Sequence, residues 1–480
     1  MGRIFYALIP LIISSSCVKI PSDEACCQML SPPSLECSID QALESESFTM
    51  GDFPSANWWE LFGDPQLSHL ICKALSSNPT LQKAWARVRG AEAEAKIKKS
   101  KLFPTIGFSA DIEWEYLAKD SFFRAFTPVI PSHVTDYEID LDFHYEIDFW
   151  GKNQNSYRAA LGIAKAQMAE ASSATLILST SVAAVYFKLQ THMQMLQLLT
   201  EEKKLISHYL DLTRSLEEFA VGSTIQTLSA EEHVLKLDQT ILITTQKITI
   251  QKHMLKMLLG EGPDSEEAIE LIEFSPCMEF PLPFHISSNL LARRSDLIAH
   301  IWKVEAAAHL VGAAKADFYP RVDLWALAGF NSLFVNKLFQ WDNREATVKP
   351  AFYLPIFTGG RLKGNLRAKQ AEFEEAIYSY NETVLKAVRE VADEIVILKT
   401  VDENLKIEVK LVQNKEKNQN LIKQLYEEEL GNLLGVIQSE KELLKEKYGK
   451  IHLQYQRMIS ALRLIKALGG GYCTTEVPFD

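Results

Sequence analysis

Two segments that alternate between apolar and polar residues limit what this chain can fold into more than any other feature. From Thr105 to Tyr116 the apolar set is Ile106, Phe108, Ala110, Ile112, Trp114 and Tyr116, interleaved with Thr105, Gly107, Ser109, Asp111, Glu113 and Glu115. Over 138–149, Ile139, Leu141, Phe143, Tyr145, Ile147 and Phe149 alternate with Glu138, Asp140, Asp142, His144, Glu146 and Asp148. Successive side chains of a strand point to opposite faces, so each segment presents one apolar and one polar face. A soluble sandwich strand also has one buried face. Eight carboxylates on the polar side of these two strands suit a water-filled lumen better, and aromatic residues in the outward set fit a lipid-facing barrel wall. Weaker strands are expected over 322–330 and 348–357, the second interrupted by Pro350 and Pro355.

These strands belong to an internal repeat. Asn78-Pro79-Thr80-Leu81 leads through an Ala-rich stretch to Leu102-Phe103-Pro104-Thr105-Ile106, and Arg294-Ser295-Asp296-Leu297 leads likewise to Phe318-Tyr319-Pro320-Arg321-Val322. Pro104 and Pro320 lie 216 residues apart. Each half reads helix, strand, strand, long helix, turn, long helix. Residues 151–219 hold one internal glycine, Gly162, and no proline; as a helix this stretch reaches about 100 Å. Stretches 225–259, 361–426 and 434–468 complete two antiparallel pairs, whose heptad-like stripes predict coiled coil. Four strands cannot close a barrel, which takes about eight or more. Several copies must therefore share one wall, and three copies make twelve strands.

Bulk composition narrows the partners. Acidic residues outnumber basic ones 62 to 50, a net charge of −12, which argues against nucleic acid because phosphate binding needs a basic surface. No run of 18 consecutive apolar residues offers a transmembrane helix, so entry into a bilayer falls to a barrel or a lipid. The start, Arg3 followed by the apolar run 4–13 and Ser14-Ser15-Ser16-Cys17, has the layout of a signal peptide. A cysteine directly after the cut looks like a bacterial lipoprotein site, with Ser14 where such signals usually carry Leu; an ordinary signal peptide is the alternative. Val18, rather than Asp, permits sorting to the outer membrane. Seven cysteines form no CxxC pair, so no metal site is expected, and a disulfide among Cys26, Cys27 and Cys37 stays open. Eleven scattered histidines, with no HExxH, phosphate loop or nucleophile elbow, argue against an enzyme and leave no catalytic residue or cofactor to name.

Six ordered motifs between about residue 55 and residue 472 resemble the TolC-type outer-membrane efflux family, especially its lipoprotein (NodT-like) subgroup. They are Asn57-Trp58-Trp59, Phe62-Gly63-Asp64-Pro65-Gln66-Leu67, Ile147-Asp148-Phe149-Trp150-Gly151-Lys152, Arg293-Arg294-Ser295-Asp296, Phe357-Thr358-Gly359-Gly360-Arg361 and Lys466-Ala467-Leu468-Gly469-Gly470-Gly471-Tyr472. Ser295 stands where the family has proline. The resemblance implies a mainly α fold with a transmembrane β-barrel portion: a homotrimeric tunnel of four strands per protomer, twelve in all, and long coiled-coil periplasmic helices. It implies a passive duct that docks on a periplasmic adaptor and an inner-membrane pump, lipid-anchored in the outer membrane through Cys17. A structural coiled-coil envelope lipoprotein is the rival reading.

The chain then divides into a signal peptide (1–16), a lipid-anchored segment (17–55), a first repeat (56–270), a second repeat (271–472) and a tail (473–480). Adaptor contact is expected at the hairpin tips, Val221, Gly222 and Ser223 in one half, Leu430 and Gly431 in the other. The family's tip glycine falls by counting on Ala220 and Glu429, with a glycine two residues later in each half, so both tips read as shifted together. Gln226, Tyr426 and Gln438 are expected at the periplasmic entrance, with glutamines in place of the family's aspartates. Asp111, Glu113, Glu138, Asp140, Asp142 and Asp148 are expected to line the barrel lumen, where fixed negative charge favours cations.

Overall fold

The computed structural model describes residues 27–43, 48–118, 131–265, 268–272, 280–283 and 286–472. The signal segment, Cys17, Cys26 and the 473–480 tail lie outside them. In chain order the elements are α1 (Glu36–Leu43), β1 (Phe48–Met50), α2 (Pro65–Ser77), α3 (Pro79–Ser100), β2 (Thr105–Tyr116), β3 (His133–Ile147), α4 (Lys152–Glu218), α5 (Thr224–Leu258), β4 (Phe280–Leu282), α6 (Ile286–Arg293), α7 (Ser295–Ala316), β5 (Arg321–Ser332), β6 (Arg344–Tyr353), α8 (Arg361–Glu427) and α9 (Leu433–Ala467), with short 3-10 turns at Trp58–Phe62, Val335–Lys337 and Trp341–Asn343. The repeat is metrically close: α3 and α7 have 22 residues each, α4 and α8 have 67, and α5 and α9 have 35.

The chain forms two compact units, and each draws on both sequence halves. The first unit, over 87–167 and 300–380, holds a four-stranded antiparallel sheet in the order β2-β3-β5-β6. Its helices pack through Val311, Ala314, Phe318, Leu362 and Leu366. At Gly162 an added Cβ would stand 3.1 Å from the Ala306 side chain, so α4 and α7 meet there through small residues. The second unit, over 30–86, 168–299 and 381–480, buries Trp58, Leu67, Ile71, Tyr186, Phe187, Leu255, Leu290, Leu464 and Ile465 in one core. The two-stranded parallel pair β1-β4 feeds Phe48, Phe280 and Leu282 into it. Among the described residues, one helix, Lys152–Glu218, is apolar enough over an 18-residue window to cross a membrane by composition, although no run of consecutive apolar residues is that long. Its residues Leu178, Val182, Ala183, Tyr186, Phe187 and Leu189 join this core.

Several family motifs prove to be structural. The Asp64 carboxylate accepts the backbone N–H groups of Gln66 and Leu67, capping α2. The Tyr186 hydroxyl donates to the same carboxylate at 2.7 Å, tying the cap to α4. Burial and that carboxylate push the Tyr186 hydroxyl well above its usual range. Arg294 reaches Asp296 at 2.6 Å and Glu390 at 3.0 Å, and donates to the Ala467 carbonyl at 3.1 Å. It thus clamps the end of α9. All three glycines of 469–471 have positive φ, and a Cβ on Gly469 would lie 2.1 Å from the Arg293 carbonyl. Cys27, Cys37 and Cys72 carry free thiols.

Strand limits moved where alternation alone could not place them. The second strand starts at His133 and stops at Ile147, because Gly151 at φ +70° and the Trp150 indole, donating to the Pro320 carbonyl, turn the chain into α4. The fourth runs Arg344–Tyr353 rather than 348–357. Pro355 thus falls outside it, and Pro350 lies within it, opposite Leu324 of β5.

Candidate functional site: the sheet wall and the hairpin tips

The register assigns every sheet residue to a face. Ile106, Phe108, Ala110 and Ile112 of β2 oppose Phe143, Leu141, Ile139 and Tyr137 of β3. Behind these stand Ala326, Ala328 and Phe330 of β5, then Ala346 and Val348 of β6. This face is apolar through the middle of all four strands, with Thr135, His133, Ser332 and Arg344 at the end away from the helices, and it is open: Phe108 is 69% exposed and Ile112 72%. Large aromatics rim both ends. Phe103, Phe149, Trp150 and Phe357 lie where strands join helices, and Trp114, Tyr116, Phe334, Phe339 and Trp341 lie toward the opposite ends of the strands, all exposed. An apolar band between two aromatic girdles is the pattern of a membrane strand.

The other face carries ten carboxylates by register: Asp111, Glu113, Glu115, Asp136, Glu138, Asp140, Asp142, Glu146, Asp323 and Glu345. Its cations are Arg321, bound to Asp323 at 2.7 Å, and Lys349. Asp111, Glu113, Glu138, Asp140 and Asp142 therefore share this face. Asp148 does not: it lies past the end of β3, and its Oδ2 accepts the Gln154 backbone N–H at 2.7 Å. Its even number continues the alternation, but the strand has ended, and the carboxylate instead satisfies an orphan donor at the start of α4. The expectation of no metal ligands rested on local spacing. Across strands, Glu138, Asp140 and Glu345 offer oxygens within 4.8 Å of one another.

In the second unit the tips repeat almost atom for atom. Val221 N–H donates to the Leu216 carbonyl and Ala220 N–H to that of Glu217; Leu430 and Glu429 do the same to Leu425 and Tyr426. This is the paired bonding of a Schellman cap, whose left-handed residue is usually glycine. Here it is Ala220 at φ 58° and Glu429 at φ 61°. The turn has therefore not shifted by two residues; the left-handed position stays and carries a side chain. Gly222 and Gly431 have a different reason to be glycine: a Cβ would come within 2.9 Å of Leu216 and 3.1 Å of Tyr426. Ser223 and Asn432 then cap the returning helices. The Thr224 hydroxyl donates to Glu217 at 2.7 Å and holds that carboxyl below its usual range.

A left-handed Cβ costs about 1–2 kcal/mol, part of which glycine's greater freedom in the unfolded chain offsets. Ala220→Gly and Glu429→Gly should each stabilise their tip by about 0.5–1 kcal/mol. Hydrogen exchange at the Val221 and Leu430 amides should then slow about two- to fivefold; unchanged exchange would contradict the strain.

Gln226 lies in the first turn of α5, Tyr426 near the end of α8 and Gln438 early in α9, all exposed. Gln438 donates to Glu442 at 3.4 Å. Among the described residues of one chain, no hydrogen bond joins the side chains of Gln226 and Tyr426.

Residues 70–261 and 286–470 match the family model described as outer membrane efflux protein. The multidrug resistance outer membrane protein MdtP of Escherichia coli (strain K12) is 29% identical over 464 residues, covering 95% of this chain and 94% of the relative. The putative multidrug resistance outer membrane protein MdtQ of Shigella flexneri is 30% identical, covering 93% and 94%. Among solved structures, the outer membrane protein VceC of Vibrio cholerae superposes with a TM-score of 0.76 at 30% identity, covering 87% of this chain and 100% of that one. The Campylobacter jejuni CmeC outer membrane channel shares the fold, with a TM-score of 0.84 at 22% identity and 95% coverage of each chain.

Proposed function

Taking as premise that this chain belongs to the outer membrane efflux protein family, we propose that three copies close one barrel and form a passive duct from periplasm to exterior. The observation that carries this is the two-faced sheet. Its apolar face is open on four strands, its acidic face is hydrophilic, and β2 and β6 each pair on one side only among the described residues. Unpaired edges in hydrocarbon are not tolerated, and four strands are too few to close. Joining β6 of one copy to β2 of the next satisfies both needs at twelve strands.

The hairpin tips dock on a periplasmic adaptor through Val221, Gly222, Ser223, Leu430 and Gly431, and energy comes from an inner-membrane pump. Cys17, outside the described residues, carries the lipid anchor. Relatives named for multidrug resistance favour small organic solutes as cargo. Gln226, Tyr426 and Gln438 meet neighbouring copies to narrow the periplasmic entrance, through neutral amides that select little by charge. Selection by charge falls to the acidic barrel wall.

Planar-bilayer recording of the purified trimer tests this. A salt gradient should give a reversal potential of the sign for cations, and Tyr426→Phe with Gln226→Ala should raise conductance. A potential favouring anions would sink the acidic lumen, and parental conductance in the double variant would sink the entrance. A monomer that stays in aqueous solution would remove the duct itself.

A further inference from the structure

The register brings three carboxylates of one chain together at a point that no local spacing marks. Glu138 and Asp140 lie on β3, and Glu345 on β6. Between them β5 contributes Gly329, which is paired with Asp140 on one side and with Glu345 on the other. A Cβ at Gly329 would fall 1.9 Å from the Asp140 Oδ1. The Asp140 carboxylate thus leans across the place where a β5 side chain would stand, toward the β6 side of the sheet. Glycine in a strand often marks such a close approach.

Asp140 is set apart from the other acidic groups of this face by its burial. It is only 3% exposed, and its Oδ1, like that of Asp136, has no hydrogen-bond partner. A buried carboxylate oxygen without a donor is costly and calls for an explanation. Arg321 and Lys349, the cations of this face, are opposite Tyr353 and Trp325, away from the Gly329 row.

We propose that Glu138, Asp140 and Glu345 hold a hard divalent cation of the calcium class against the wall of the barrel, one per chain. Their oxygens lie within 4.8 Å of one another, and two oxygens that both touch a calcium ion at about 2.4 Å can stand no more than about 4.8 Å apart. Magnesium, with stricter octahedral demands and usually held by only one or two carboxylates, suits a set of three carboxylates less. With carboxylates only and no imidazole or thiolate, the set disfavours zinc and copper. The ion links β3 to β6 across β5 and gives the unpartnered oxygen its charge complement. The site needs no second copy, so it stands apart from the reading of the duct.

The test is calorimetric titration of calcium chloride into the full-length detergent-solubilised protein, freed of divalent ions by chelation, at pH 7. One saturable site per chain is expected. Glu345→Gln, at an exposed position on the edge strand, and Asp140→Asn should each weaken binding about tenfold or more, while Glu146→Gln on the same face leaves it unchanged. Heat-modifiable migration of each variant checks that it has folded. Absence of saturable binding to the parent protein overturns the proposal. Equal affinity in Glu345→Gln and the parent overturns it as well.

Discussion

Leu141→Arg should abolish assembly of this protein in the outer membrane. Leu141 lies mid-strand on the apolar face of β3, opposite Phe108 on one side and Ala328 on the other, and is 54% exposed. An arginine facing lipid near the bilayer midplane costs about 2–4 kcal/mol per chain, and closure by three copies places three of them in one barrel. The heat-modifiable oligomer band should disappear from the outer-membrane fraction. Asp142→Ser, one residue along, turns to the acidic face, so assembly should continue and cation preference fall. Parental amounts of the oligomer from Leu141→Arg would show that the apolar face does not meet hydrocarbon.

Arg457→Met should be the most damaging single change in the second unit. Arg457 Nε meets Asp402 Oδ1 at 2.5 Å, with side-chain exposures of 10% and 7%. Removing the arginine leaves a buried carboxylate without its counter-charge, which costs about 3–5 kcal/mol. Replacing both, as Arg457→Met with Asp402→Leu, removes the stranded charge and should recover most of the loss. Thermal unfolding followed by helical circular dichroism reads both variants. A double variant no more stable than the single would mean that the cost is packing, not charge.

The period-2 pattern of 105–116 was enough to place β2 at its observed limits, because a strand's faces follow from residue parity alone. The lengths of α4 and α8 were readable to within a residue or so, since glycine-poor, proline-free stretches have few other options. Asp148 leaves the acidic face because the strand stops at Ile147 while the alternation of residue types runs on to Phe149. The early start of β6 was missed because Glu345 and Thr347 carry no strong alternation signal; their place comes from pairing with β5.

The sequence by itself determined the kinds of surface this protein makes: two faces on each strand, long helices in matched pairs, a turn at each hairpin tip. Only the tertiary structure decided which residues meet. It put Ala220 and Glu429, not the nearby glycines, in the left-handed conformation, and it gathered Glu138, Asp140 and Glu345 around Gly329 from positions up to 207 apart in the chain. The physical reason is that a side chain's direction is set by its own backbone, whereas its neighbours are set by register between distant strands, and register is fixed only when whole faces pack.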